Sequence, residues 1–357
     1  MYKRLVETVI VVVVIILGGI AAFNYMVDPS NIFSNDTVKS AVEIMLKEKN
    51  VKGLSNWDEV SLKREFIKKS TNTPNIVVLG SSRSMGINQE LFPDDVMHNY
   101  SVSGGGLEKI ISLWYSSDMK NPEVEKYIIE IDDWAFVDNK SSSITQDDIT
   151  AKAIAYVNDT QDDSITIRLY FNDIKKYSGL LSWQYFEKSR EVYKAKVEVN
   201  PTEKWIDDVP VLHFDGSYHH GNIMNNPSDE KLVAAVQKHI NSSLRNYLGN
   251  HQQISEAKRL LFEKWIRKIR NNGQDVVIFL SPYNPEVYNH IEQNDKFKVV
   301  LDTENYLRDF CRMEGIPVIG SYDPCKLGLT SKDFFDGMHL KEAVVEEYWQ
   351  SQTQTVL

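Results

Sequence analysis

Two segments far apart in the chain carry the residue types that nucleophilic catalysis needs. The first, NIVVLGSSRSMGI at 75–87, is an apolar run from Ile76 to Leu79 that breaks into Gly80, Ser81, Ser82, Arg83 and Ser84. Such a break holds a hydroxyl at the tip of a strand, where N–H groups of the following turn can face an oxyanion. The second, FFDGMHLKEAV at 334–344, sets Asp336 three residues before His339, ahead of a helical stretch. This spacing lets a carboxylate orient an imidazole whose other nitrogen faces a serine. Between them, HNYSVSGGGLEKI at 98–110 places Gly104, Gly105 and Gly106 before a helix. Either this is a flexible turn, or it holds a backbone N–H where a side chain would collide with substrate. Each feature alone has a plainer explanation. Strand–Gly–Ser turns are common, an Asp before a helix is more often an N-cap, and a lone His is more often a surface residue.

Other residues invite weaker readings. Arg83 could bind an anionic sugar or phosphate, or pair with Asp132 or Asp133 across the strand ends. His219 and His220, with His213 or Asp215 nearby, lack metal-ligand spacing on one helix face; polar surface or substrate contact is the favoured reading. Trp114, Trp134, Trp183 and Tyr185 could stack on sugar rings, though such residues more often pack. Ser81 and Ser84 read as turn residues. No metal or other cofactor is expected.

The elements that must position these residues follow from the apolar patterning. NIVVLG, YIIEID (127–132), DVVIFLS (275–281) and IPVIGS (316–321) are short apolar runs bounded by polar residues, the mark of strands buried on both faces. Helices are expected at about 37–49, 57–70 (capped by Asn56 or Asp58), 105–117, 254–271, 296–313 and 340–352, with Gly273 and Gly315 as stops. Alternating strands and helices imply an α/β fold, a doubly wound and mainly parallel sheet, with its site at the carboxyl ends of the strands. Residues 143–250 read as a helical, polar insertion between the second and third strands, lying over the strand ends as a lid or partner surface. Residues 28–72 read as a helical linker region.

The chain has 357 residues and a formal net charge of -10. That balance argues against a nucleic-acid partner, which needs clustered Lys and Arg. The only cysteines, Cys311 and Cys325, exclude a disulfide framework; one disulfide or two buried free thiols remain equally open. Lys3 and Arg4 precede an uncharged run from Thr8 to Phe23, near the lower length limit for crossing a ~30 Å hydrocarbon layer. Without a small-x-small cleavage site, residues 1–27 read as a retained membrane anchor rather than a signal peptide. The basic residues ahead of it put the N-terminus in the cytoplasm and the rest outside.

Taken in order, the Gly80–Ser82 turn, Gly104 and the Asp336-x-x-His339 pair resemble the blocks of the SGNH/GDSL hydrolase superfamily over roughly residues 73–350. The resemblance implies that Ser82 is the nucleophile, His339 the base and Asp336 its orienting acid, with the N–H groups of Ser82 and Gly104 as oxyanion donors. One block departs. Where SGNH enzymes carry Gly-x-Asn-Asp, this chain has Glu130-Ile131-Asp132-Asp133, and an ionised Asp132 cannot donate. The anchor, the GSSR turn, VDPSNIF (27–33) and FDGSYHHGN (214–222) are similar to the membrane-tethered DltD/AlgJ-like subset. That resemblance implies a membrane-bound O-acyltransferase as partner, and a polysaccharide or teichoic-acid-like polymer as substrate. It also implies substrate contacts at Arg83, Asp132, Asp215 and Ser217. The expected activity is serine-type O-acyl transfer, with O-acetylation as its form; a deacetylase or esterase, or a non-catalytic polymer-presenting protein, are the alternatives.

Overall fold

The computed structural model describes residues 2–29, 33, 36–54, 57–138, 147–160, 177, 179–195, 198–203, 209–248 and 253–356. Its strands, in chain order, are β1 (Asn50–Lys52), β2 (Ile76–Leu79), β3 (Met97–Asn99), β4 (Lys126–Glu130), β5 (Asn200–Thr202), β6 (Val211–Leu212), β7 (Tyr218–His219), β8 (Asp275–Leu280) and β9 (Val318–Gly320). Five of them form a wholly parallel sheet in the order β3-β2-β4-β8-β9. After β2 the chain moves outward to β3, then returns past β2 to β4. The strand order therefore reverses at β2, and a crevice opens beyond the carboxyl end of a strand at such a point.

The apolar runs are continuous because both faces of this sheet are covered. Val77, Leu79, Tyr127, Ile129 and Ile278 join one core, together with residues of the helices Leu107–Lys120, Glu256–Asn271 and Lys298–Glu314. Ile76, Val78, Ile128, Val277 and Phe279 join the other, closed by Tyr348 and Trp349 of the helix Glu342–Val356. Burying a side chain such as Phe279 contributes about 2–3 kcal/mol. Gly315, at φ 67°, ends the helix Lys298–Glu314 in the left-handed conformation.

The four strands expected in the sheet are present with ends shifted by one or two residues. The fifth, β3, overlaps the start of the glycine-bearing segment 98–110 and is not among the expected strands; at three residues it is too short to show a period. A second sheet, antiparallel and ordered β5-β1-β6-β7, was also not expected. It ties part of the 143–250 region to residue 50. Asn99 N donates to the Asp215 carbonyl at 2.8 Å, and the buried Lys63 Nζ donates to the carbonyls of Asn99 (2.9 Å) and Gly216. Residues 209–219 are thus stitched to the edge of the main sheet. The region is not helical throughout, and its residues 143–146, 161–176, 178, 196–197, 204–208 and 249–250 lie outside the described residues.

Residues 28–72 are not a linker. Val38, Ala41, Val42, Leu62 and Phe66 sit in the main core. Asp58 caps the helix Glu59–Lys69 by accepting from Ser61 N at 3.1 Å, while Asn56 and residues 30–32 lie outside the described residues. Cys311 is buried, Cys325 is exposed, and both are free. At the N-terminus, Tyr2–Val27 is one apolar helix with a mean hydropathy of 2.7 in its best window, unburied along that length. Among the described residues it alone is long and apolar enough to cross a membrane.

Candidate active site

The serine turn begins where β2 ends, and its shape is fixed by what lies beneath it. A Cβ on Gly80 would stand 2.4 Å from Ser84 Oγ and 2.6 Å from both Cβ and Oε2 of Glu130, so only glycine fits. Glu130, fully buried at the end of the neighbouring β4, accepts from Ser81 N at 2.6 Å. Ser81 Oγ accepts from Arg83 N at 3.2 Å, and Ser84 Oγ donates to the Ser81 carbonyl at 3.1 Å. Ser81 and Ser84 are therefore buried braces of the turn, while Ser82 between them remains partly accessible.

Ser82 Oγ lies 2.8 Å from His339 Nε2, across 257 residues of sequence. On the far side of the ring, His339 Nδ1 lies 2.8 Å from Asp336 Oδ2. The other oxygen, Asp336 Oδ1, accepts from the backbone N–H groups of Met338 and His339, each at 2.8 Å. Burial alone would raise the Asp336 carboxyl; the His339 charge and these hydrogen bonds overcome it and hold the group far below the usual carboxylate range. Asp336 is thus a fixed anion. Its bond to Nδ1 assigns the proton there and leaves Nε2 to accept from Ser82. The ring is set sterically as well: Phe335 stacks on it at 5.2 Å and 4°.

Arg83 and Asp132 do not face a substrate. Arg83 Nη1 donates to Asp132 Oδ1 at 2.7 Å, and both side chains are wholly enclosed. The same guanidinium donates from Nε to the Met338 carbonyl at 3.1 Å, from Nη2 to the Ser281 carbonyl, and lies 4.5 Å over the Tyr283 ring. Burial and the adjacent Glu130 push the Asp132 carboxyl upward, and the Arg83 charge opposes them. Asp133, which accepts from the Tyr283 hydroxyl at 2.6 Å, is pushed up to about 6, chiefly by burial. The pairing, not an anionic ligand, accounts for Arg83. Asp132, taken up in it, does not occupy the role of the Asn in SGNH enzymes.

Asp215 and Ser217 are likewise structural. Asp215 Oδ2 accepts from Gln89 N at 2.7 Å, and its Oδ1 accepts from both N and Oγ of Ser217 at 2.7 Å. Both residues are buried. His219 is not a surface residue either: it is buried and its Nδ1 pairs with Glu342. His220 alone of the pair approaches the triad, its ring 6.4 Å from that of His339. Burial, reinforced by the nearby His339, lowers its pKa to about 4, so it stays neutral.

Gly104 has φ 59°, and no atom lies within 4 Å of where its Cβ would be. Among the described residues, no protein acceptor takes the backbone N–H of Ser82 or Gly104. Its neighbour Gly105 is the glycine under steric demand, since a Cβ there would meet the Gly80 carbonyl oxygen at 2.6 Å. Gly104 forms part of the wall of a cavity of about 580 Å³, with Gly106, Arg64, Lys258 and the stacked rings of Trp134 and Tyr247, 5.2 Å apart. Trp114, by contrast, is core, and Tyr185 donates to Asp28 Oδ1 at 3.0 Å.

Sequence reasoning passed over four residues that shape this site: Glu130, Phe335, Tyr283 and His239. His239 packs against the Asp336–His339 loop so closely that a Cβ on Gly337 would lie 2.5 Å from its Cβ. It sits in a five-residue π turn, His239–Ser243. Compared with known protein families and with curated proteins, the chain matches none.

Proposed function

We propose that this protein is an extracytoplasmic serine-type O-acyltransferase acting on a cell-surface or secreted polysaccharide. One observation carries the reading: the Ser82–His339–Asp336 relay, with both contacts at 2.8 Å, at the crevice where the strand order reverses. Ser82 Oγ attacks the acyl carbonyl as His339 Nε2 takes its proton. Collapse of the tetrahedral intermediate expels the donor's alcohol or thiol, which receives that proton. A polymer hydroxyl then attacks the acyl-serine, its proton passing to His339 and on to the departing Ser82 Oγ, and the ester is transferred. The N–H groups of Ser82 and Gly104 are the oxyanion donors in this scheme. The cavity with Trp134 and Tyr247 on its wall is the place for sugar rings. The resemblance to membrane-tethered SGNH proteins supports a membrane-bound O-acyltransferase as partner. The apolar helix supports a single-pass arrangement, and Lys3 and Arg4 ahead of it support a site outside the cytoplasm.

The test is labelling of the full-length protein in detergent with a fluorophosphonate probe. Covalent labelling of the native chain that disappears in Ser82→Ala is expected. A native chain that stays unlabelled, or a variant labelled equally, removes the catalytic reading and leaves a polymer-presenting role. Transfer is then separated from hydrolysis by following an acetyl donor with and without a glycan acceptor.

A further inference from the structure

The apolar helix is tied at its end to a distant segment. Asn24 is fully buried: its Nδ2 donates to the Leu180 carbonyl and its Oδ1 accepts from Ser189 Oγ, both at 2.8 Å. Phe23 packs edge-on against Phe186 at 5.6 Å and against Tyr193 at 5.8 Å. Residues 179–181 and the helix Trp183–Ala195 are therefore fixed against the last turns of Tyr2–Val27. Large apolar side chains stand open on the outer surface of this segment. Leu181, Trp183 and Tyr193 are 57%, 60% and 64% exposed, beside the open Tyr25 and Met26. Gln184, Glu187, Arg190 and Lys194 share the exposed side, with charges of both signs.

Depth decides what this surface meets. Counted from Leu5, just after Arg4, to Asn24, the helix spans 20 residues, about 30 Å at 1.5 Å per residue, the thickness of a ~30 Å hydrocarbon layer. Phe23, Asn24 and Tyr25 then fall at the edge of that layer. Trp and Tyr, each with an apolar body and a polar edge, are enriched at this level, and an amphipathic helix with Lys and Arg can lie in its plane. We propose that residues 179–195 lie in the headgroup region of the bilayer as a second membrane contact, which fixes the orientation of the catalytic domain on the membrane. The mixed charges point to the interface itself rather than to selection of anionic lipid. The proposal rests on the reading of Tyr2–Val27 as a membrane span.

The experiment uses the full-length chain in nanodiscs whose phosphatidylcholine carries bromine either high or low on the acyl chain. Trp183 is one of seven tryptophans, so its share is read as the difference between the native chain and Trp183→Phe. High-placed bromine is expected to quench the native emission more than low-placed bromine, and Trp183→Phe is expected to lose that quenching. Adding Tyr193→Trp to the Trp183→Phe chain should restore it. A chain retained in the disc whose quenching is unchanged by Trp183→Phe and not restored by the second reporter overturns this inference alone. Stronger quenching by low-placed bromine overturns the headgroup assignment. Failure of the chain to stay with the disc overturns the span and the inference together.

Discussion

Arg83 Nε donates to the carbonyl of Met338 at 3.1 Å. Arg83 follows Ser82 in sequence, and Met338 precedes His339. One guanidinium therefore spans from the serine turn to the histidine loop. Asp132, the Ser281 carbonyl and the Tyr283 face hold it on its remaining sides. A buried ion pair is weak evidence for stability, because two charges lose their hydration. This one makes sense as registration: it aligns two segments 257 residues apart.

Replacement by lysine separates charge from geometry. An ammonium keeps the charge but cannot serve three acceptors in the plane of a fork. In Arg83→Lys the histidine loop loses its tether, and displacements near 1 Å can cost on the order of 100-fold. The rate of probe labelling at Ser82 should fall about 10- to 100-fold while the labelled end-point stays complete. Asp132→Asn, which leaves Arg83 charged and unpaired, should cost about 3–5 kcal/mol in urea unfolding. Labelling of Arg83→Lys at the native rate would mean that the bridge does not align the triad.

The serine turn should be equally intolerant of added bulk beneath it. In Gly80→Ala the new methyl meets Glu130 and Ser84 at 2.4–2.6 Å, so the Glu130 carboxylate must leave Ser81 N. Overpacking of this kind costs about 1–3 kcal/mol. Labelling should slow in parallel, because the turn bearing Ser82 shifts. Gly104→Ala is the contrast: no atom obstructs it, and the penalty comes from its φ of 59°, about 1–2 kcal/mol. Comparing urea midpoints and labelling rates of the two variants separates a clash from backbone strain.

The parallel sheet was legible because its strands are apolar without interruption, and that pattern has one physical cause, burial on both faces. The triad was legible because a serine turn and an Asp-x-x-His pair are local features. What escaped had no local signature. Met97–Asn99 and the antiparallel sheet are built from strands of two or three residues. Their pairing is decided by long-range contacts such as Lys63 with Asn99. Arg83 and Asp132 could be suspected as partners, but enclosure made the difference between a ligand site and a brace. Glu130 enters the sequence only as the first residue of the departing block, and only its contact with Ser81 N gives it a role.

Lys63 offers a test of that long-range stitching. Burial lowers its pKa to about 8, with Glu59 and Asp215 opposing. A folded pKa below the unfolded one means that folding disfavours the charged form. Below pH 8 the chain bears the full penalty; between pH 8 and the ordinary lysine value of about 10.4 the penalty is progressively relieved. Stability should therefore rise over this window, by about 3 kcal/mol at most. Lys63→Met removes that contribution, so the difference between native and variant in urea unfolding should grow as pH rises from 7.5 to 10. A pH-independent difference would place the lysine's charge elsewhere.

Asp336 is the last case, and its two roles can be read separately. In Asp336→Asn the amide oxygen can still accept from the N–H groups of Met338 and His339, so the loop keeps its shape. The amide NH2 then faces His339 Nδ1 and demands an acceptor there. The proton moves to Nε2, which can no longer accept from Ser82. Labelling should drop on the order of 10⁴-fold, and the urea midpoint at pH 7 should fall as the ionic contact is lost. The pH dependence tells the other role. A carboxyl held below its unfolded value contributes stability that is present above about pH 3.9 and is lost as pH falls further. The native chain should therefore lose stability below pH 4 more steeply than Asp336→Asn, which has no proton to take up. Parallel acid profiles would mean that the Asp336–His339 contact is not ionic in solution, and the triad would lose its anchor.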